Sequence, residues 1–94
     1  MVVLILDKAP SGLRGKLTRW LYQPKAGVFF GWVSARVRDL LWQRVCAGLK
    51  EGGAILIYPD DNEQGFSIRT AGEPKVEMVD FDGLILPKTR NRRE

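Results

Sequence analysis

The chain has 94 residues, of which 45% are apolar and 28% charged, and its formal net charge is +4. Its length fits one domain, and its composition is that of an ordinary globular protein, which excludes disorder for the body of the chain. One cysteine, Cys46, and no histidine exclude an internal disulfide, a zinc site of cysteine and histidine ligands, and histidine-based catalysis. The apolar start, Val2–Leu6, is too short for a signal peptide or a membrane span, so we expect a cytoplasmic protein.

The charge is unevenly distributed along the chain. Residues 1–50 carry a net charge of +7, residues 51–87 carry −6, and residues 88–94 carry +3. Basic surface of this density favours a polyanionic partner, whereas the acidic half is predicted to face a protein. Because a chain of this size has only a modest core, we also expect it to gain stability by associating with another chain.

The first predicted element is a strand at Val2–Leu6. Five consecutive apolar residues indicate a central strand that is covered on both faces. Asp7 follows directly, at the carboxyl end of the strand, where open sheets place their chemistry. Asp7 is either a metal-binding carboxylate or a polar residue that caps the turn before the next helix. From the residues alone we favour the cap.

A first amphipathic helix is predicted next, ending before Pro24. Its apolar stripe consists of Leu13, Leu17, Trp20 and Leu21, which places Trp20 in the core. Its polar side carries Arg14, Lys16 and Arg19. A basic helix start binds phosphate through free N–H groups and charged side chains, although the same pattern also fits a solvated helix face. We favour phosphate binding because no acidic residue intervenes after Asp7.

A single strand is predicted at Val28–Val33, followed by the longest helix, Ala35–Leu49, with Ser34 as its N-cap. The predicted buried face of this helix consists of Val37, Leu40, Leu41 and Val45. Its arginines, which are left for solvent or ligand, are Arg36, Arg38 and Arg44. Trp32 and Trp42 flank or belong to the helix and are expected to pack against neighbours rather than stack on nucleic-acid bases.

The second half of the chain is predicted to be mainly extended. The four segments are Ala54–Tyr58, Phe66–Ala71, Val76–Asp80 and Leu84–Leu86, of which Pro87 ends the last. Together with two helices they predict an α+β two-layer sandwich. The tail, Lys88–Glu94, has no apolar residue and is expected to be mobile.

Asp80 and Asp82 form a second pair of candidate metal ligands. In an extended segment their side chains project to the same face, about 7 Å apart, and carboxylate oxygens are what hard cations prefer. Gly83 follows directly, so we favour a turn-capping role instead.

Three stretches of the chain resemble CRISPR-associated protein 2, in the variant that accompanies type I-E (Cascade) systems. They are LILDKAPSGLRGKLTRWL, AGVFFGWVSARVRDLLWQRV and GFSIRTAGEPKVEMVDFDGLILP. The resemblance runs over residues 2–87, and its most specific part is the block AGV-x-x-G-x-VSA-x-x-R-x-x-x-W.

The resemblance implies a single ferredoxin-like domain over residues 1–87 and a symmetric homodimer that serves spacer acquisition in antiviral defence. In that role the dimer is a scaffold that binds double-stranded prespacer DNA without sequence specificity and bridges two dimers of the CRISPR integrase. The candidate DNA-binding residues are then Arg14, Lys16, Arg19, Arg36 and Lys75. The segment from Val79 to Pro87 resembles the part that docks onto the integrase, with candidate contacts at Asp80, Asp82, Leu84 and Leu86.

The family also includes metal-dependent endonucleases, and Asp7 matches their acidic residue. On this alternative, the Asp7 carboxylates of a dimer would hold Mg²⁺ or Mn²⁺ and activate water for cleavage of RNA or DNA. One acidic residue per chain is weak evidence for catalysis, so we expect a scaffold that requires no metal. A third hypothesis is a purely structural interaction partner.

One feature does not fit the family: the ferredoxin-like plan has a hairpin between the helices, where the residues indicate one strand, Val28–Val33.

Overall fold

The computed structural model describes residues 1–72 in full, and residues 76–81 and 84–89 as strands of known backbone. The elements, in chain order, are β1 Val2–Leu6, α1 Ser11–Leu17, β2 Tyr22–Lys25, β3 Val28–Gly31, α2 Ala35–Gly48, β4 Gly53–Pro59, β5 Phe66–Gly72, β6 Val76–Phe81 and β7 Leu84–Thr89. None of the helices among the described residues has the length and apolar composition needed to cross a membrane.

Strands β1 to β5 form one antiparallel sheet in the order β2-β3-β1-β4-β5. The apolar run of β1 lies at its centre, where Leu4 is opposite Phe29 of β3 and Leu56 of β4. The first four strands and two helices follow the ferredoxin-like β-α-β-β-α-β order, and β5 extends the sheet beyond β4. The predicted α+β sandwich is confirmed.

The prediction of one strand between the helices was wrong, because β2 and β3 form a hairpin. Gly27 turns the chain with a φ of 82°, a conformation that glycine adopts without a steric cost. A Cβ at this position would lie 2.6 Å from the carbonyl oxygen of Leu6. The Gly27 carbonyl accepts a hydrogen bond of 2.7 Å from the Leu6 N–H, so the hairpin turn lies against the end of β1.

Helix α1 is shorter than predicted, and this changes the position of Trp20. Leu13 and Leu17 are buried as expected, but the helix ends at Leu17, where the Thr18 hydroxyl donates back to the Gly15 carbonyl. Since Trp20 lies beyond the helix, the helical period no longer places it in the core. Its side chain is 55% exposed, so the prediction that it is a core residue was wrong.

Helix α2 has the predicted N-cap, because the Ser34 hydroxyl accepts a hydrogen bond of 3.2 Å from the Val37 N–H. Leu41 and Val45 are buried as predicted, whereas Leu40 is 50% exposed. The buried stripe follows a spacing of four residues along one side of the helix, and Leu40 is about 100° away from Leu41 around the axis. The prediction that Leu40 belongs to the buried face was therefore wrong.

The two faces of the sheet differ in their cover. Both helices pack on one face, which we call the helix-facing side; its core includes Val2, Leu4, Leu6, Phe29 and Leu56. The strand register places another apolar set on the opposite side, which we call the open face: Val3, Ile5, Val28, Phe30, Ile57 and Ile68. Ile5 is 37% exposed there. The prediction that Val2–Leu6 is covered on both faces was wrong within the part of the chain that is described.

Strands β6 and β7 pair with each other in a separate two-stranded sheet. Both predicted extended segments are confirmed, but Pro87 does not end the last one. It lies inside β7 opposite Met78. Proline has no N–H to donate, but it is tolerated in an edge strand, where one side of the strand has no hydrogen-bonded partner. Lys88 and Thr89, predicted to begin the tail, also lie in β7, while residues 90–94 lie outside the described residues.

Candidate nucleic-acid interface

A groove lies between α1 and α2, with a volume of about 510 Å³. We call it the α1/α2 groove. Three cations line it: Lys16, Arg19 and Arg44. Its apolar floor is formed by Leu17, Trp20, Val37, Leu40 and Leu41. Cationic side chains above an apolar floor can bind a ligand that carries anionic groups beside apolar ones.

The positive charge continues beyond this groove into a neighbouring depression at the start of α1. Lys16 and Arg44 line both, and the second one adds Lys50. We call Lys16, Arg19, Arg44 and Lys50 the basic strip. In the described ranges, no acidic side chain lines either depression. The Asp39 carboxylate forms ion pairs with Arg38 and Arg69, which lie outside the strip. The charge of the strip is therefore not neutralised by these pairs.

Two of the residues predicted to bind DNA, Lys16 and Arg19, belong to the basic strip. Arg14 is half-buried in α1 and does not line the α1/α2 groove, while Arg36 is exposed in the first turn of α2, two turns before Arg44. Lys75 lies outside the described residues. The structure thus brings Lys16 and Arg19 together and leaves Arg14 and Arg36 at separate positions.

Arg44 was predicted to face solvent or ligand but was not among the DNA-binding candidates, and Lys50 was missed, because the position of both depends on how the helices pack. Gly48 is the signal that could have found them. A Cβ there would be 3.5 Å from the methyl groups of Leu13, so the two helices approach closely at this point. This approach places the end of α2, with Arg44, next to Lys16 of α1.

The amino terminus of α1 offers less to a phosphate than the sequence indicated. The helix has only seven residues, and its N-cap, Pro10, makes no side-chain capping bond. The N–H groups of Leu13 and Arg14 both donate to the Pro10 carbonyl, at 3.1 and 3.2 Å. Because these amides are already bonded and a short helix has a weak dipole, anion binding here depends on the side chains.

Asp7 lies at the end of β1, where its N–H donates to the Gly53 carbonyl at 2.8 Å. Its side chain is half-buried, and the oxygen Oδ2 is inaccessible to solvent. Gly52 is held against it, with a φ of 82° and an ideal Cβ position only 2.1 Å from the Asp7 carbonyl oxygen. No side chain fits there, so the backbone at the end of β1 is fixed by a glycine of the loop before β4.

The residues around Asp7 do not fit a metal site within one chain. Asp7 and Glu51 line one depression of about 500 Å³, but Lys8 and Lys50 line it as well, and their charge opposes that of a divalent cation. Across the described ranges, no group of three or more His, Cys, Asp or Glu residues could hold a metal ion. Asp82 lies outside the described residues, and only the backbone of Asp80 is described.

Arg38 does not face solvent or ligand as the sequence indicated. Its Nε donates to Asp39 Oδ1 at 3.0 Å, and its guanidinium lies 4.1 Å from the centre of the Tyr58 ring. Arg69 reaches the same acceptor at 3.1 Å and also donates to the Tyr58 hydroxyl at 3.1 Å. The hydrogen bond from Arg38 lowers the pKa of Asp39 most, and the bond to Tyr58 raises that of Arg69. This cluster ties α2 to β4 and β5.

A family model described as "CRISPR-associated protein (Cas_Cas2CT1978)" matches residues 1–86 of the chain. The chain belongs to this Cas2-type family. Membership supports a role in a CRISPR system and agrees, at the level of the family, with the resemblance of the three quoted stretches. The match includes all four residues of the basic strip and ends inside β7. Within that strand and β6, the candidate integrase contacts Asp80, Leu84 and Leu86 are described by their backbone alone.

Proposed function

We propose that the protein is a non-catalytic scaffold of CRISPR spacer acquisition, of the type I-E kind, that binds double-stranded DNA in the cytoplasm. The observation that carries this proposal is the basic strip: among the described residues, no acidic side chain lines the α1/α2 groove or the neighbouring depression, where Lys16, Arg19 and Arg44 lie. Exposed Lys and Arg side chains bind the phosphates of a duplex without reading its sequence. A duplex held in this way keeps its position regardless of its bases, which is what a scaffold for arbitrary DNA segments requires.

The scaffold is proposed to be a homodimer formed through the open face. Ile5 is 37% exposed at the centre of the sheet, and Val3, Phe30, Ile57 and Ile68 surround it on half-buried positions. A contiguous apolar surface of this kind is typical of an interface. Packing the open faces of two copies against each other would cover both, and it would leave the helices and the basic strips on the outside.

The integrase is proposed to dock on the β6–β7 hairpin of each copy, through Asp80, Asp82, Leu84 and Leu86. A hairpin that pairs only with itself among the described strands has edges to which a partner strand can add. A dimer has two such hairpins, so it can bridge two integrase dimers. Neither the DNA-binding nor the bridging role requires a metal ion.

The test is the salt dependence of duplex binding. For the wild type, log K should fall linearly with log[salt], with a slope of about −0.9 for each phosphate contact. The double variant Lys16→Ala/Arg44→Ala should reduce the steepness by about 1.8 if each cation contacts one phosphate. Arg14→Ala, Arg36→Ala and Lys75→Ala test the remaining candidates by the same measurement.

Lys25→Ala is the matched control, since Lys25 is an exposed lysine on β2 that does not line the groove. Its slope should equal that of the wild type. If Lys16→Ala/Arg44→Ala leaves the slope unchanged, the basic strip does not bind DNA and the proposal is wrong. Absence of duplex binding by the wild type at low salt would favour a purely structural interaction partner.

The alternative function, an endonuclease acting through Asp7 with Mg²⁺ or Mn²⁺, receives less support from the geometry because two lysines line the depression of Asp7. It would need the Asp7 of a second copy to complete a metal site. Cleavage of RNA or DNA that requires the metal and disappears in Asp7→Asn would establish this activity. Cleavage that survives the substitution would come from a contaminant.

A further inference from the structure

The apolar floor of the α1/α2 groove is not explained by DNA binding. Trp20 is 55% exposed and Leu40 is 50% exposed, and together with Val37 they face the same groove as the cations. A duplex presents sugars and phosphates on its outside, which pair with the cations but do not cover apolar side chains. Large apolar side chains that are exposed together are typical of a protein contact.

The groove is shaped by two helices in a way that suits a helical partner. Its walls come from α1 and the residues that follow it on one side and from α2 on the other. Its volume of about 510 Å³ is comparable with that of pockets that bind small ligands or a few side chains. An amphipathic helix that lies in a groove of this kind inserts its apolar residues at positions i, i+3, i+4 and i+7.

The charge of the groove specifies the flanks of such a helix. Lys16, Arg19 and Arg44 line it, and none of the acidic residues among 1–72 does, so a partner with carboxylates beside its apolar stripe is complementary. We propose that the α1/α2 groove binds an acidic amphipathic helix of a partner protein. Leucine-type side chains of the partner cover Trp20 and Leu40, and its Glu or Asp residues pair with the three cations.

A single-stranded nucleic acid is a different ligand for the same cations. Platforms for single strands stack successive bases on aromatic side chains. The floor of the groove is mainly aliphatic, and Trp20 is the one aromatic residue that residues 1–72 contribute to it. This composition favours a peptide. Trp20 also borders a separate depression with Tyr22 and Trp32, so the test includes a single-stranded oligonucleotide.

The experiment measures fluorescence anisotropy of labelled helical peptides of about 18 residues, or five turns, with the full chain. The first peptide carries leucine at the i, i+3, i+4 and i+7 positions and glutamate on the flanks. The second has lysine in place of each glutamate, and the third has the first composition in scrambled order. The first should bind saturably, and the other two should bind at least about tenfold more weakly.

Two substitutions test the floor and the rim separately. Leu40→Asp and Arg44→Glu should each weaken the first peptide by about tenfold or more, since one places a carboxylate on the floor and the other reverses a rim charge. The matched controls are Trp32→Ala and Lys25→Glu, whose side chains are exposed outside the groove. They should stay within about twofold of the wild type. Circular dichroism of each variant checks that the helices are retained.

The possible outcomes separate this proposal from the scaffold function. Leu40 carries no charge, so the neutral variant Leu40→Asn should leave duplex DNA binding unchanged while it weakens the peptide. The proposal is overturned if the acidic peptide does not bind saturably, if the lysine-substituted peptide binds as tightly, or if Leu40→Asp does not weaken binding of the acidic peptide. Binding of oligo(dT) that depends on Trp20 and exceeds that of the peptide would also overturn it, in favour of a single strand.

Discussion

The helix-facing side and the open face of the sheet are built from the same strands but differ in what covers them. Along β1, Leu4 is 1% exposed beneath the helices, whereas the next residue, Ile5, is 37% exposed on the other side. Neighbours on β3 repeat the pattern, since Phe29 is fully buried and Phe30 is half-buried. The apolar run of β1 therefore supplies two cores, one completed by the chain itself and one that we expect a second copy to complete.

The largest expected difference between the faces concerns Phe29 and Phe30. Phe29→Ala should lower the free energy of unfolding by about 3–5 kcal/mol, because it leaves a cavity in a closed core. This loss should be the same at all protein concentrations. Phe30→Ala should lower the apparent free energy of unfolding less at low protein concentration and more at high concentration, because Phe30 contributes to stability mainly through the proposed dimer. Urea denaturation at two concentrations measures both, and equal costs at both concentrations would contradict the distinction.

The next substitution acts on the open face alone. Ile5→Lys should raise the dissociation constant of the proposed dimer by about 30-fold, or about 2 kcal/mol, because it places a charge at the centre of an apolar interface. Sedimentation equilibrium provides the measurement. Leu40→Lys is the control, since Leu40 is also a half-exposed apolar residue but lies on the helix side. If Leu40→Lys dissociates the dimer and Ile5→Lys does not, the interface lies on the other face.

A smaller effect is expected at the margin of the open face. The rings of Tyr22 and Phe30 have centroids 5.8 Å apart at an angle of 39°, a tilted contact that contributes about 0.5–1.5 kcal/mol beyond burial. Tyr22→Ala should lower the free energy of unfolding by about this amount. Tyr22→Phe should leave it nearly unchanged, because the ring remains. An equal loss in both variants would attribute the stabilisation to the hydroxyl group.

The smallest expected effect is a pH dependence at the margin of the helix-facing side, where Asp39 accepts from Arg38 and Arg69. The hydrogen bond from Arg38 holds the pKa of Asp39 below its ordinary value of 3.8. A lowered pKa means that the carboxylate stabilises the fold above pH 3.8 and loses this contribution as the pH falls through the lower value in the folded state. The Asp39 side chain is 45% exposed, so solvent screens these interactions and the effect is small.

Asp39→Asn isolates this contribution from that of Asp60, whose pKa is lowered mainly by the Ser67 hydroxyl. At neutral pH the variant should be slightly less stable than the wild type, and the difference should shrink in acid as Asp39 is protonated. Urea midpoints for both proteins between about pH 7 and pH 3 provide the comparison. A difference that stays constant over this range would show that the charge of Asp39 is not responsible.

The parts of the fold that could be predicted are those that local pattern determines. The apolar runs of β1 and β4, the alternation of β5, and the Ser34 cap of α2 all follow from neighbouring residues. The hairpin of β2 and β3 could not be predicted, because it depends on the end of α1 at Leu17 and on the contact of Gly27 with Leu6. Trp20 and Leu40 were wrongly predicted to be buried. The apolar stripe of α1 was assumed to continue beyond Leu17, and that of α2 was assumed to include Leu40.

The candidate site was predictable in its chemistry but not in its extent. A basic first helix was evident, and Lys16 and Arg19 lie where cations line the groove. Arg44 and Lys50 join them because α2 packs against Leu13 of α1 at Gly48, which is a contact between distant residues. Arg38 shows the converse, because its predicted exposure ignored the acceptor Asp39 and the ring of Tyr58.

The close approach of Gly52 to Asp7 has a consequence for the tolerance of the chain to mutation. The ideal Cβ position of Gly52 lies 2.1 Å from a backbone atom, and that of Gly72 lies 2.3 Å from the carbonyl oxygen of Gly52 itself. Backbone cannot move aside as the end of a flexible side chain can. In a library of random variants selected for folded protein, position 52 should therefore retain glycine more strictly than Gly65, whose surroundings are open.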